Sequence, residues 1–265
     1  MSELLTIYSS FGLSLPITAN VKCEIYVDTP KINENESKKI FLQIEPNEIS
    51  GVYDYIIKNH KKYDLVLCWS DEILKTCENS VFLPYGDSWI DNYDFTIPKK
   101  FSVSSLIGNK LLTENHGVRH KLINLPSTVT NIGFDLYNSR NSPKNILGLK
   151  TISEGFFKDE LFYNQFHICI ENFSQKNWFT EKIVDCFRTK TVPIYIGCPN
   201  IGDFFDVNGI MLVNSFEHLV ETLSRIDENT YQSMIDSIEN NYNLSEKYIN
   251  YRKNLGEKIL DFLNK

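Results

Sequence analysis

Residues 165–214 read QFHICIENFSQKNWFTEKIVDCFRTKTVPIYIGCPNIGDFFDVNGIMLVN, and the architecture can be worked out from this stretch. Phe166–Glu171 and Val192–Gly197 are short runs of β-branched, apolar and aromatic residues, which predicts two strands. Between them, Thr180–Lys190 has apolar residues at helical spacing and begins with a residue type suited to an N-cap. A strand, a loop, a helix and a strand within about 30 residues have the size of one βαβ unit, so we predict a parallel sheet.

The same alternation continues on both sides of this stretch and predicts two α/β halves. Further strands are predicted at Leu4–Ser9, Cys23–Asp28, Lys39–Glu45, Asp64–Trp69, Val81–Tyr85, Phe101–Ile107, Ile132–Tyr137 and Ile210–Asn214. Further helices are predicted at Ile49–His60, Val118–Leu125, Phe216–Ile226 and from Tyr231 to the C-terminus. The polar stretch 87–100 (DSWIDNYDFTIPKK) predicts a linker. We therefore expect an α/β protein with two Rossmann-like lobes, a cleft between them and C-terminal helices.

Composition narrows the class of protein. The chain has 265 residues and a formal net charge of −7, which disfavours nucleic acid as a partner. No apolar run reaches the roughly 18–20 residues that a membrane span needs, and the N-terminus does not resemble a signal peptide. The six cysteines form no CxxC pair and lie mostly in apolar runs, which indicates reduced, buried thiols. These features predict a cytoplasmic protein without a transmembrane segment.

Motifs for cofactors and metals are missing from the sequence. There is no GxG, and so neither a dinucleotide fingerprint nor a P-loop, and there is no GxSxG or HExxH. The absence of DxD argues against a metal that chelates a diphosphate. His116 and His120 are four residues apart and could share a metal on a helix, but no third ligand is evident. We expect no metal and no cofactor.

Four polar or aromatic residues fall where ligands of parallel α/β sheets bind. Asn172, Trp178, Glu181 and Lys182 follow the predicted strand Phe166–Glu171 and open the next helix. Ligands bind at the carboxyl ends of such strands, and helix N-termini favour anions. A lysine in the first turn of a helix opposes the helix dipole, so a bound anion would explain Lys182. Ordinary solvated helix residues would explain Glu181 and Lys182 equally well.

A basic segment precedes this region. Residues 98–125 contain five basic residues against Glu114 alone, a local charge of +4 (5 − 1) within a chain of −7; the basic residues are Lys99, Lys100, Lys110, Arg119 and Lys121. A basic patch in an acidic protein suits a small polyanion such as a nucleoside diphosphate. A solvated basic helix face would give the same pattern.

The motifs in this order and spacing resemble the family 10 glycosyltransferases, the α-1,3/1,4-fucosyltransferases. The matching segments are CIEN (169–172), TEKIVDCF (180–187) and TVPIYIGCPNI (191–201). The stretch SVSSLIGNK…VRHKLIN resembles the family segment that ends in a phosphate-binding arginine, here Arg119. KKIFLQIEPNEI resembles the segment that carries the family's proposed base, here Glu45. The chain departs from the family pattern at Asn177-Trp178, where the family has Gly-Tyr, and at PIYI, where it has PIYW.

This resemblance implies a GT-B architecture and an inverting transfer from a nucleotide sugar, most simply GDP-fucose. It implies an acceptor-side lobe at residues 1–95, a donor-binding lobe at 96–240 and a C-terminal helix at 241–265 that packs back on the first lobe. In the absence of a metal, Arg119 and Lys182 would neutralise the departing diphosphate. Glu181 would bind sugar or ribose hydroxyls, Trp178 would cover the nucleotide and Asn172 would orient a phosphate or the loop.

Glu45 would accept the proton of the acceptor hydroxyl, a role that requires a raised pKa. Glu48, three residues further on, is the second candidate for the base, and a strand-end glutamate without a catalytic role is the alternative for Glu45. Glu171 fits a structural role at the end of a buried strand.

Two other functions stay open at the level of sequence. The donor could be another nucleotide sugar, such as GDP-colitose, or the chain could be a non-catalytic protein that binds a nucleotide or a glycan. The partners that we expect are a nucleotide sugar and a glycan or glycolipid acceptor, in protein glycosylation or polysaccharide biosynthesis. A peripheral contact with a membrane is left open, and no nucleic acid is expected.

Overall fold

Parallel strands form two separate sheets in this protein. The computed structural model describes residues 4–9, 13–17, 20–90, 92–139, 149–151 and 158–265. The strands are β1 (Leu5–Tyr8), β2 (Cys23–Val27), β3 (Lys38–Leu42), β4 (Leu65–Cys68), β5 (Ser80–Phe82), β6 (Lys100–Ile107), β7 (Gly133–Asn138), β8 (Lys150–Thr151), β9 (Asn164–Ile170), β10 (Val192–Ile196) and β11 (Met211–Leu212). All ten predicted strands are therefore confirmed, and β8 is an addition.

The helices differ in their bounds from the sequence patterns, and the helix Glu114–Lys121 begins four residues before the predicted helix Val118–Leu125. They are α1 (Asn47–Ser50), α2 (Tyr53–Asn59), α3 (Asp71–Thr76), α4 (Glu114–Lys121), α5 (Leu125–Thr128), α6 (Glu181–Arg188), α7 (Phe216–Ser224), α8 (Thr230–Ser233), α9 (Ile235–Ser245) and α10 (Tyr251–Leu263). Short 3-10 helices lie at His60–Lys62, Leu122–Asn124, Lys158–Tyr163, Ile201–Asp203 and Val207–Gly209. The predicted helix Ile49–His60 is wrong as a single element, because Gly51 takes a left-handed φ of 66° and ends α1 there.

The first unit comprises residues 1–85, 175–178 and 250–265. Its sheet has the order β1-β2-β3-β4-β5, with every pair parallel. Alternate residues of β2 and β3 pack with Leu255 and Ile259 of α10 on one face of this sheet. The intervening residues face the other way, where Tyr26 and Phe41 make edge contacts with the ring of Tyr63. Burial of both faces explains why β4 (LVLC) is a continuous apolar run.

The second unit comprises residues 86–174 and 179–249. Its parallel sheet has the order β11-β10-β9-β6-β7-β8. The chain moves outward from β6 to β7 and β8, returns to β9 beside β6, and then moves outward in the opposite direction. The strand order therefore reverses between β6 and β9, and the carboxyl ends of these two strands form the switch point at which ligands of open parallel sheets bind.

Apolar layers cover both faces of this second sheet. On one face, alternate residues of β9 and β10 pack with Leu219 and Leu223 of α7. On the other face, Ile183 and Phe187 of α6 pack with Tyr195. The helix that opens the predicted binding region is thus held against the core through Ile183 and Phe187.

The two units divide the chain differently from the predicted domains 1–95, 96–240 and 241–265. Residues 86–90 belong to the second unit, since Ser88 and Trp89 both donate hydrogen bonds to Asp185 of α6. Residues 250–265 belong to the first unit, because α10 packs on its sheet. Asp91, within the predicted linker, lies outside the described residues. The predicted functions of the domains stay predictions.

Two further predictions concern the cysteines and a membrane-spanning helix. All six cysteines are buried and none is in a disulfide, in agreement with the prediction. Among the described residues, no helix combines the length and the apolar character needed to cross a membrane.

Candidate active site

A cavity of about 310 Å³ lies at the switch point of the second sheet. Its walls include Gly108 and Asn109 after β6, Ser139 after β7, and Ile170 and Asn172 at the end of β9. The cavity thus opens at the carboxyl ends of three parallel strands, where the sequence predicts a ligand. Four of the predicted donor-binding residues line it: Arg119, Asn172, Glu181 and Lys182.

Arg119 is held in the wall by the end of β9. It lies on α4, whose N-cap Thr113 accepts a hydrogen bond from the backbone of His116. The Nε and Nη2 groups of Arg119 donate to the carbonyl of Ile170, and Nη2 also donates to Oδ1 of Asn172 at 2.9 Å. Burial lowers the pKa of Arg119 from 12.5. Within the part of the chain that the structure describes, no group accepts a hydrogen bond from Nη1, so half of the guanidinium fork is available to an anion.

The first turn of α6 carries a compact network of charges. Thr180 caps the helix through its side chain, as predicted, and its N–H and Oγ1 both donate to the buried carboxylate of Glu171 at 2.8 Å. Nζ of Lys182 lies 2.9 Å from Oγ1 of Thr180, 3.3 Å from Oε1 of Glu181 and 3.5 Å from Oε2 of Glu171. The network fixes the lysine that faces the cavity.

The ionisation of these groups follows from their neighbours. Burial alone would raise the pKa of Glu181, but the charges of Lys182 and Lys158 outweigh burial and lower that pKa to about 2. Burial alone would lower the pKa of Lys182, but Glu181 and Glu171 outweigh it and raise the pKa above 10.5. Both residues are therefore charged at neutral pH, which a role in binding hydroxyls and phosphates requires.

Three further residues of the cavity wall were not predicted from sequence. Nζ of Lys158 lies 3.8 Å from Glu181, 3.7 Å from Asp185 and 4.0 Å from the centre of the Trp89 ring. Lys158 has no motif to mark it, and Trp89 stands in the stretch 87–100, whose polar composition predicts a linker. Asp185 stands in the segment TEKIVDCF, and its position one helical turn after Glu181 was the signal that could have identified it.

Glu45 and Trp178 belong to the first unit. Trp178 is buried, its indole N–H donates to the carbonyl of Ile44 at 2.9 Å, and its ring packs near that of Trp69. These contacts are those of a core side chain and give no support to a role of Trp178 in covering a nucleotide. That role stays a prediction. Its neighbour Asn177 has a φ of 64°, the left-handed region that suits Gly, and Asn is one of the few other residues that adopt it readily.

Glu45 follows β3 in a loop that a second carboxylate organises. The carboxylate of Asp28 accepts hydrogen bonds from the backbone N–H groups of Ile44 and Glu45, at 3.1 and 2.8 Å. Burial raises the pKa of Asp28 to about 7, against these hydrogen bonds, and the charge of Glu45 adds to the rise. Glu45 therefore stands beside an acid that titrates near neutrality, whereas Glu48 is exposed on α1.

The predicted basic segment does not form one patch. Lys99 is directed into the second unit, where Nζ donates to Thr191, Tyr93 and the carbonyl of Phe162, and burial lowers its pKa to about 7. The prediction of a patch is therefore wrong for Lys99, because its side chain serves the interior. Arg119 and Lys110 line the 310 Å³ cavity.

A second, larger cavity of about 660 Å³ lies at the carboxyl ends of β10 and β11. Its wall includes Gly197, Asn214 and Lys121. A β-carbon at Gly197 would collide with the hydroxyl of Tyr195 and the side chain of Glu171, so close packing requires the glycine of TVPIYIGCPNI. Across the described residues, no group of three or more His, Cys, Asp or Glu side chains is arranged to hold a metal ion.

Comparison with solved structures defines the class of fold. A crystal structure of an α1,3-fucosyltransferase with GDP matches with a TM-score of 0.55 at 16% identity, over 91% of this chain and 78% of the other. The apo structure of OtsA matches with a TM-score of 0.61 at 9% identity, over 92% and 73%. These are glycosyltransferases of the GT-B class, and the two parallel α/β units have that fold.

Residues 119–256, just over half of the chain, match the family described as "Glycosyltransferase family 10 (fucosyltransferase) C-term". The chain belongs to glycosyltransferase family 10, as its motifs predict. It is also 28% identical over 146 residues to the α-(1,3)-fucosyltransferase FucT of Helicobacter pylori. That match covers 51% of this chain and 30% of FucT, so the chain spans less than a third of that protein's length.

Proposed function

We propose that this chain transfers fucose from GDP-fucose to a hydroxyl of a glycan, with inversion at the anomeric carbon. The observation that carries the proposal is the convergence of Arg119, Lys182 and Lys158 on one cavity at the switch point, in a chain that belongs to glycosyltransferase family 10. Three cations at one cavity suit a leaving group that gathers negative charge as the glycosidic bond breaks, and a diphosphate is such a group.

In the proposed mechanism, the acceptor oxygen attacks the anomeric carbon while the bond to the β-phosphate oxygen breaks. The sugar passes through an oxocarbenium-like transition state and the charge develops on the diphosphate. Arg119 offers two N–H donors of Nη1, and Lys182 offers a compact positive charge. Glu181, ionised and fixed at the start of α6, accepts hydrogen bonds from sugar or ribose hydroxyls. Glu45 takes the acceptor proton.

A panel of nucleotide sugars tests the donor. GDP-fucose, GDP-colitose, GDP-mannose and UDP-glucose are incubated with the protein, and the released nucleoside diphosphate is measured with and without glycan acceptors. We expect release above background from GDP-fucose. Preferential use of another sugar would replace the donor assignment, and binding without release from any donor would identify a non-catalytic binding protein.

We expect activity to persist in excess EDTA. The physical reason is that side-chain cations in the cavity take the place of a metal ion as the partner of the diphosphate. Turnover of GDP-fucose is measured after chelation and dialysis, and again after addition of Mn²⁺ or Mg²⁺. Complete loss in EDTA with recovery on adding either ion would contradict the proposed charge neutralisation.

A further inference from the structure

Lys158 is immobilised on the cavity wall by three contacts. Its Nζ lies between the carboxylates of Glu181 and Asp185, at 3.8 and 3.7 Å, and over the ring of Trp89 at 4.0 Å. Its side chain is 14% exposed. The two carboxylates compensate the burial of this ammonium group, and Lys158 shares its cavity with Arg119 and Lys182.

The described residues around the cavity carry about one positive charge before any ligand arrives. Four cations, Lys110, Arg119, Lys158 and Lys182, stand against three carboxylates, Glu171, Glu181 and Asp185. The diphosphate of a nucleotide sugar carries about two negative charges near pH 7, because both phosphates are esterified, and free GDP carries about one more. A bound diphosphate would therefore leave excess negative charge in a desolvated site unless one carboxylate became neutral.

Asp185 is the carboxylate best placed to become neutral. Its Oδ1 accepts hydrogen bonds from Oγ of Ser88 at 2.9 Å and from the backbone N–H of Trp89 at 2.8 Å. Its Oδ2 is fully buried and receives no hydrogen bond from any described residue; Lys158 at 3.7 Å is its charged neighbour. Burial raises the pKa of Asp185 to about 7, and Glu181 adds to the rise while Lys158 opposes it.

The other titratable groups around Asp185 are less suited to take up a proton near neutral pH. On α6, Glu181 has a pKa of about 2 and stays ionised. On β9, His167 lines the same cavity. Burial lowers its pKa to about 3, so the imidazole is neutral at both pH 6 and pH 8. On the preceding segment, the carboxylate of Asp87 accepts the N–H of Ser88 at 2.9 Å. Asp185 is thus the residue of this described cluster whose pKa lies near neutrality.

From this geometry we infer that Lys158 is a third cationic ligand of the donor diphosphate, and that Asp185 takes up one proton when the donor binds. The inference rests on the proposed function, since it names a further residue of the same donor site. On binding, an N–H of Lys158 that faces Asp185 donates to a phosphate oxygen instead. The proton comes from solvent and forms a neutral carboxylic acid at Oδ2. The bound proton therefore cancels one of the negative charges that the ligand brings into the site.

Isothermal titration with GDP tests the role of Lys158. Lys158→Gln is expected to bind GDP about 10- to 100-fold more weakly than wild type, the range for a lost hydrogen bond to a charged group. Lys158→Arg, which keeps the charge, should recover part of the affinity. Lys190→Gln is the matched control, because Lys190 also pairs with a carboxylate, Glu239 at 2.6 Å, and lies over the Tyr242 ring, but does not line the cavity.

Asp185→Asn separates this inference from a purely structural role. The amide keeps an acceptor for Ser88 and Trp89 but removes the charge that competes for Lys158, so GDP should bind several-fold more tightly than to wild type at pH 8 and equally at pH 6. The affinity ratio of the two proteins cancels the titration of GDP itself. Melting temperatures establish that each variant is folded at the titration temperature.

The outcomes discriminate between the inference and the proposed function. Wild-type protein that binds no GDP would overturn both. GDP binding to wild type together with unchanged affinity in Lys158→Gln would overturn the role of Lys158 alone. An Asp185→Asn to wild-type affinity ratio that stays constant between pH 6 and 8, or falls as the pH rises, would overturn the proton uptake.

Discussion

A Glu45→Gln variant is expected to transfer fucose about 10²- to 10⁴-fold more slowly than wild type, the range that general-base catalysis supplies. The amide keeps the shape and most of the hydrogen bonding of the side chain but cannot accept the proton of the acceptor hydroxyl. The affinity for GDP should barely change, because the base acts on the acceptor and not on the diphosphate. Steady-state transfer rates and titration with GDP measure the two quantities separately.

Glu48→Gln is the matched control for this experiment. Glu48 has the same side chain and lies three residues away, exposed on α1, so loss of its charge should leave the transfer rate within a factor of about two of wild type. Asp28 holds the backbone of Glu45 through the N–H of that residue, which keeps the loop in place in both variants. Full turnover in Glu45→Gln with a large loss in Glu48→Gln would move the base to Glu48.

Arg119→Ala and Lys182→Ala are each expected to weaken GDP binding and turnover by about 2–4 kcal/mol, or roughly 30- to 1000-fold. Each change removes a charge from the wall of the 310 Å³ cavity, where the proposed function places the diphosphate. Titration with GDP and turnover of GDP-fucose provide the measurements. Arg225→Ala is the control, because Arg225 pairs with Glu221 on the surface of the same unit and 75% of its side chain is exposed.

Conservative variants distinguish a lost contact with the ligand from a structural change in the cavity wall. Removal of Lys182 leaves Glu171 buried without its cation, and removal of Arg119 releases the carbonyl of Ile170. Lys182→Arg and Arg119→Lys keep the charge, and both should retain more affinity than the alanine variants. Near wild-type affinity in both alanine variants would show that the diphosphate binds elsewhere.

The central strands were predictable because both of their faces are buried. Continuous apolar runs such as Leu65–Cys68 and Val192–Ile196 give a strong signal in any context. Helix ends were less predictable, since they depend on backbone conformation rather than on periodicity. Apolar spacing continues from Tyr231 to the C-terminus, yet the chain forms α8, α9 and α10, with turns at residues 246–250.

The grouping of predicted residues at the 310 Å³ cavity was predictable where one short motif carries them. Glu181 and Lys182 are adjacent in sequence and open one helix, so a correct prediction of that helix also places both residues. Lys158 and Trp89 reach the same cavity from segments that are distant in sequence, and only the packing around Asp185 brings them there. Trp178 shows the opposite case, because a residue within the motif region uses its N–H and its ring in the core.

A crystal structure of the protein with GDP tests the central claim most directly. We predict density for the diphosphate in the 310 Å³ cavity, with phosphate oxygens at hydrogen-bond distances of about 2.7–3.2 Å from Nη1 of Arg119 and Nζ of Lys182. A diphosphate that contacts neither side chain, whether in the 660 Å³ cavity or elsewhere on the chain, would contradict the account.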